Sequence, residues 1–365
     1  MPNYGDLQNE IYLTGLSGVV PSLPMSFAEL ERRAELAMPP GTWSYVAGGA
    51  GDEHTQRSNR TAFDHWGLVP RMLRAQNERD LSVDLFGIAL PTPLFLSPIG
   101  VIGICTQDGH GDLATARAAA ATGVPMVAST LSEDPMEQVA AESGETPGFF
   151  QLYCPTDPEV AASLVSRAEQ AGYRGIVVTL DTWVTGWRPR DLATSNFPQL
   201  RGHCLANYFA DPVFRSRLES TPEDDPGSAI LAWAMMFGKP LAWDDLAWLR
   251  SLTALPLVLK GICHPDDARR AVDAGADGVF VSTHGGRQAK AAWPRSTACR
   301  TWRRPCPRSR CCSTRACGRG PTWSRPSPWA RRRWGSAGRT RTAPRWPART
   351  ASCTCSARSS RRPTC

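Results

Sequence analysis

The sequence predicts an α/β protein whose closest architecture is a (β/α)8 barrel, incomplete, with about six of eight units legible. Three observations carry this. From about Pro93 an apolar run, a loop and an alanine-rich helix repeat in series; the runs end in polar residues; and the composition changes abruptly after Ala289. A doubly wound sheet stays open as the alternative, although no loop has the GxGxxG spacing of a dinucleotide site.

Residues 1–92 read as an N-terminal helical segment and barrel lead-in. SFAELERRAELA (26–37) has helical spacing, a Ser26 cap and an acidic first turn. Pro39 and Pro40 restart the chain, and residues 41–66 predict helix, glycine-rich turn, helix.

Residues 93–289 hold the partial barrel. Its apolar runs are PLFLSP (93–98), VPMVAST (124–130), GFFQLY (148–153), GIVVTLD (175–181), LPLVLKG (255–261) and GVFVST (278–283), six predicted strands. Between them lie HGDLATARAAAATG, SEDPMEQVAAESG, TDPEVAASLVSRAEQAGYRG and HPDDARRAVDAGADG, each opening on a capping residue or Pro. Gly123, Gly172 and Gly275 fall where a helix end needs a left-handed residue. Apolar strands alternating with amphipathic helices imply a parallel sheet covered on its outer face. Residues 192–245 interrupt the rhythm and read as a lid over the C-terminal rim, with a roleless surface decoration as the alternative.

Charge divides the chain. The net +7 joins a body of −13 to a tail, 290–365, of +20 built from 19 Arg and one Lys without Asp or Glu. Eight of 12 Cys lie in that tail, and Cys105, Cys154, Cys204 and Cys263 in the body have no close pairing, which suits a reduced, cytoplasmic protein. MPNYGDLQNE lacks the basic and apolar regions of a secretory signal, and the longest apolar run, Ala229 to Phe237, falls well short of a bilayer span, so no membrane role is expected.

GVFVSTHGGRQ (278–288) concentrates the chemistry. A buried strand delivers His284, able to abstract a proton, and Arg287, able to hold a carboxylate bidentately, while Gly285 and Gly286 let a bulky planar group approach the backbone. The alternative is a polar turn after a core strand.

The order FFQLY, VTLDTWVTGWRPRD, LKGI and STHGGRQ resembles the FMN-dependent L-2-hydroxy acid oxidising enzymes, within them most of all the lactate 2-monooxygenases, over roughly residues 25–289. The resemblance implies a TIM barrel of the FMN-dependent hydroxy acid oxidase type and oxidation of a small 2-hydroxy acid, L-lactate above others, with FMN as cofactor and O2 as acceptor. It implies that His284 takes the C2 proton, that Asp181 orients His284, and that Arg287, Arg188 and Tyr45 grip the carboxylate while Tyr153 bonds the substrate oxygen. Lys260 would face the edge of the flavin that becomes anionic, and Pro98, Ile99 and Gly100 its N5 side. Ser129, Gln151, Thr179 and Ser282 would be further flavin partners. The chemistry asks for the same types: a base, a cation for the carboxylate, and positive charge for the reduced ring. Each residue also has a duller reading, with Lys260 snorkelling, Asp181 capping a helix, Tyr45 packing in the core and Arg188 in a solvated loop. A quinone in place of O2 is the alternative acceptor, and homo-oligomers are an analogy with the family.

Two departures stand out. Thr283 replaces the usual Asn, and after Ala289 the family pattern of Asn-Gly-Gly and two more strand–helix units is missing. The 76 residues from 290 to 365 contain no Leu, Ile, Val, Phe, Met or Tyr, so no barrel strand is expected there and the tail reads as disordered. A six-stranded barrel would then leave its first and sixth strands as open edges. Codon arithmetic offers a cause. Restoring one base in codon 290 allows Asn-Gly-Gly, and the same shift allows RCCSTRACGRGPTWSRP (310–326) to read VLFDSGVRSGADVVKA, which resembles the phosphate-binding signature of the family. Read as written, the arginines and six Trp of the tail invite an inactive pseudoenzyme or a nucleic-acid-binding protein instead, but GC-rich DNA read out of frame yields arginine freely. No CxxC pair or tail His supports a metal site. The nucleotide sequence across codon 290 is expected to lack one base; an intact frame there refutes the frameshift.

Overall fold

The computed structural model describes residues 5–74, 80–289 and 310–313. All of these fall in one compact unit, Met1–Ser324; a second unit, Arg325–Cys365, lies outside the described residues, as does nearly all of the tail. Ser26 caps the helix Phe27–Ala37 by accepting from the Glu29 amide, and helices Pro40–Ala47 and His54–Thr61 follow, as the sequence leads one to expect. No helix among the described residues is long and apolar enough to cross a membrane.

A short antiparallel hairpin, β1 (Val83–Leu85) with β2 (Ile88–Leu90), precedes the main sheet. The main sheet runs β3 (Val127–Ser129), β4 (Phe149–Leu152), β5 (Ile176–Thr179), β6 (Leu257–Lys260), β7 (Gly278–Val281) and β8 (Arg310–Ser313), all parallel and in chain order. A doubly wound sheet reverses its strand order partway, and this order never reverses, so the barrel alternative prevails. The predicted strand at 93–98 contracts to one parallel bridge, Leu96 with Met126. Proline at both ends of PLFLSP, Pro93 and Pro98, removes ladder donors, which limits the pairing.

The crossovers follow the expected pattern: helices Gly111–Thr122, Met136–Ser143, Pro158–Gln170 and Pro265–Asp273 cover the outer face. Asp157 caps the third by accepting from the Glu159 and Val160 amides, and Gly123 ends the first at φ 66°. One core lies between sheet and helices. A second lies inside the curve of the sheet, where Val127, Phe149, Val177, Val258 and Phe280 meet β1–β2 residues Leu85 and Ile88 and the neighbouring Phe86 and Phe95. The hairpin therefore plugs the N-terminal end of the sheet.

Two expectations need correction. First, the tail does supply a strand, because β8 pairs with β7 from Gly278↔Arg310 to Val281↔Ser313. The ladder is made by backbone groups, so a proline-free stretch without large apolar residues can cover the open edge of β7. Second, the insertion at 192–245 is more than a lid. Its Cys204, Leu205, Tyr208, Phe214 and Trp233 are buried in the main core. Asn207 stitches it to the sheet, donating from Nδ2 to the Ser129 and Thr130 carbonyls and accepting from the Met136 amide. Removing such an amide leaves several buried groups unpaired, at about 1–3 kcal/mol each.

Candidate active site

Strand geometry builds the site in layers. Side chains alternate across a strand, so the residues two positions after the inner apolar layer also face inward. Those residues are Ser129, Gln151, Thr179, Lys260 and Ser282, all buried. Two residues further on come Tyr153, Asp181 and His284, at the rim.

Lys260 is 1% exposed, so it does not snorkel. Its Nζ lies 3.3 Å from His284 Nδ1, and the same Nδ1 lies 2.9 Å from Asp181 Oδ1. Burial would raise the Asp181 carboxyl, but Lys260 and then His284 outweigh it and hold the group down at about 2. The Nδ1 proton therefore points to this carboxylate, and the Lys260 contact is electrostatic. Burial first and Lys260 second depress the His284 imidazole to about 4, against the upward pull of Asp181. Lys260 and Asp181 keep opposite charges, and a third charge on His284 would have to share that one carboxylate with Lys260 in a buried place.

The backbone holds His284 in place. It has φ 51°, followed by Gly285 at 67° and Gly286 at 83°, and its amide donates to Ser282 Oγ. A non-glycine residue at positive φ is uncommon and clusters at functional positions. Gly286 has a different reason from the expected one. A Cβ there would lie 2.5 Å from the Gln56 amide nitrogen, so the close approach is by the helix His54–Thr61 rather than by a planar ligand.

The arginines form a second group beside the first. Arg287 Nη1 donates to the Tyr45 and Gly48 carbonyls, and its guanidinium stacks over the Tyr45 ring at 4.9 Å. Arg188 donates from Nε to the Arg287 carbonyl and from Nη2 to Gln288 Oε1; at 7% exposure it is not a solvated loop residue. Burial, and behind it Arg287, pull the Arg188 guanidinium below its ordinary value. Tyr45 also packs edge-on against Phe197, so it serves core and rim together. The structure thus brings Tyr45, Arg188 and Arg287 together, with Arg287 turned toward helix Pro40–Ala47 rather than free.

Two residues escaped the sequence reading. Gln288 donates to the Asp181 and Val184 carbonyls and accepts from Arg188 and the Gly186 amide, tying the loop after β5 to the end of β7. Asp191 sits 3.7 Å from Arg188 and 3.6 Å from Arg287. Gln288 belongs to the HGGRQ motif and was within reach; a single Asp after GWRPR gave no signal.

Whether FMN suits these residues can be judged from unpaired atoms. Gln151 Oε1 accepts from Ser129, and among the described residues its Nε2 is buried without a partner, as are Thr179 Oγ1 and Ser97 Oγ. Buried donors are seldom left unpaired. A ring with carbonyl and nitrogen atoms along its edge fits this polar layer beside the Lys260 cation. Gly100 closes the cradle, since a Cβ there would come within 3.3 Å of Leu131 and 3.5 Å of Ser129 Oγ, with Pro98 and Ile99 half-buried just before it. The units expected to hold the phosphate end fall after Ala289, outside the described residues apart from β8.

Comparison with known proteins shows the family. The family model described as FMN-dependent dehydrogenase matches residues 34–304. The chain is 39% identical over 295 residues to an FMN-dependent alpha-hydroxy acid dehydrogenase of Penicillium citrinum, covering 80% of this chain and 73% of that protein. It is 38% identical over 279 residues to an L-lactate oxidase of Lysinibacillus sphaericus, covering 76% and 71%. A solved mandelate oxidase superposes with a TM-score of 0.63 at 36% identity, covering 74% of this chain and 72% of its own.

The depressed imidazole makes stability depend on pH. The unfolded chain binds a proton at its ordinary His pKa, near 6.5, which the folded chain refuses until about 4, so stability falls as pH falls through that range. Asp112, raised to about 7 by burial, acts in the opposite direction over much of the same range, so the readout is the difference between wild type and His284→Asn. Asn tolerates positive φ. Urea unfolding is expected to show that the variant loses up to about 3 kcal/mol less than wild type between pH 7 and 4.5; parallel curves contradict the assignment.

Proposed function

The chain belongs to the FMN-dependent dehydrogenase family, and from that premise we propose that its site oxidises a small L-2-hydroxy acid, L-lactate first, with O2 as electron acceptor. The observation that carries this is the His284–Asp181 hydrogen bond of 2.9 Å beside the buried Lys260. It gives a neutral imidazole whose Nδ1 proton is committed, which leaves the Nε2 lone pair as the base.

Bound FMN supplies the two-electron acceptor for the carbon–hydrogen bond being broken. His284 Nε2 takes the proton from C2, and Asp181 stabilises the imidazolium that results. Lys260 provides positive charge for the ring edge that becomes anionic on reduction. Tyr153 bonds the substrate oxygen. Its ring packs against Phe237 at 5.2 Å, and it lines a narrow cleft with Thr179, Trp183 and Leu241. Arg188 Nη1 and Arg287 Nη2, which lie beyond hydrogen-bond length of Asp191, are the donors left for the carboxylate. Support for lactate and O2 comes from the similarity to an L-lactate oxidase; the mandelate oxidase shows that relatives also take a larger acid. Oxygenation in place of simple oxidation would appear as a decarboxylated product.

Retention of the cofactor is a separate matter. The tail replaces the units that the family resemblance assigns to the phosphate, so FMN is held weakly and turnover of the chain as purified is low.

Full-length protein is expected to carry less than one flavin per chain. With excess FMN and no O2, L-lactate but not D-lactate should bleach the visible flavin absorbance, and His284→Asn should slow this by about 10²–10⁴-fold. A fully yellow preparation contradicts weak retention. Failure of every 2-hydroxy acid to reduce bound flavin contradicts the proposed reaction.

A further inference from the structure

Asp191 stands between the two arginines of the rim. Both carboxylate oxygens are buried, and among the described residues neither accepts a hydrogen bond, the nearest guanidinium nitrogens lying 3.6 and 3.7 Å away. The Asp191, Arg188 and Arg287 side chains are 9%, 8% and 7% exposed, so little water screens their charges. The position is fixed from two sides. Asp191 lies in the first turn of helix Pro189–Thr194, and its Oδ1 packs against Gly48, where a Cβ would lie 3.2 Å away.

A buried carboxylate that is ion-paired but accepts no hydrogen bond costs free energy, and the arrangement is costly unless the charge itself has a use. Two guanidinium groups and one carboxylate sum to a single positive charge. A monoanion entering this corner neutralises it. A dianion would bring surplus negative charge into a poorly hydrated place already holding Asp191, and it would have to be protonated or stay unpaired. The neighbouring triad does not change the balance, because Lys260 and Asp181 cancel and His284 is neutral.

We propose that Asp191 sets the carboxylate-binding corner at one net positive charge and so makes the site selective for monocarboxylic over dicarboxylic 2-hydroxy acids. It acts through Arg188 and Arg287, as a residue that positions them and determines specificity. The inference rests on the carboxylate-binding role given to these arginines above.

The test is calorimetric titration of the full chain, saturated with FMN, with 2-hydroxy-2-methylpropanoate and 2-hydroxy-2-methylbutanedioate. Neither acid has a hydrogen on C2, so binding is read without turnover. Wild type is expected to bind the monocarboxylate at least tenfold more tightly. Asp191→Asn should abolish or invert that preference, and Asp191→Glu, which keeps the charge, should retain it. The double variant Asp191→Asn with Arg188→Gln returns the corner to a single positive charge and should recover the preference, which covers the case in which the single variant does not fold. Equal affinity for both acids in wild type overturns the inference, as does an unchanged preference in a folded Asp191→Asn protein. Preferential binding without lactate-dependent flavin reduction keeps the inference and removes the redox reading; binding of neither acid removes both.

Discussion

The two-residue period of the strands is the constraint on which the rest of the structure depends. Along β3 to β7 one parity builds the outer core under the helices, and the other builds an inner column: apolar at Val127, Phe149, Val177, Val258 and Phe280, then polar at Ser129, Gln151, Thr179, Lys260 and Ser282. A slip of one residue in any strand would expose an apolar side chain on the polar layer and bury a polar one under a helix. The inner apolar contacts with the hairpin β1–β2 therefore hold the polar layer in register. A buried lysine such as Lys260 is tolerable only because this register also sets Asp181 and His284 beside it.

Charge is organised on that scaffold as two small groups, one neutral and one with a net positive charge. Lys260 and Asp181 cancel, and His284 stays neutral because burial disfavours a charge on it first, and Lys260 beside it second, against the pull of Asp181. Arg188 and Arg287 share Asp191 and keep one positive charge in surplus. Gln288 joins the groups mechanically, bonding the backbone of Asp181 with one end of its amide and Arg188 with the other. The His284–Asp181 pair and the two arginines are thus held to one another by a residue that carries no charge of its own.

Most of this was legible in the sequence, for a physical reason. Strand parity and helix caps are local, so the apolar runs, Gly123, Asp157 and the polar strand ends could be read directly, and the motif residues fell on those ends in order. The pairing of β8 was not legible, since it is made by backbone groups and leaves no side-chain pattern in RCCS. The seating of the insertion was not legible either. Asn207 works through three long-range contacts that no local spacing reports. Asp191 was hidden for the same reason: its partners, Arg287 and Gly48, are distant in the chain. The direction taken by Arg287, toward the carbonyls that end helix Pro40–Ala47, depends on tertiary packing alone.

The central claim is the protonation of one ring. Nitrogen-15 spectra of full-length protein labelled at histidine, with the His284 signal assigned by its loss in His284→Asn, would read it directly. The geometry calls for a neutral imidazole at pH 7 with the proton on Nδ1, titrating well below the ordinary histidine value. A protonated ring at pH 7, or a neutral ring with the proton on Nε2, would contradict the account.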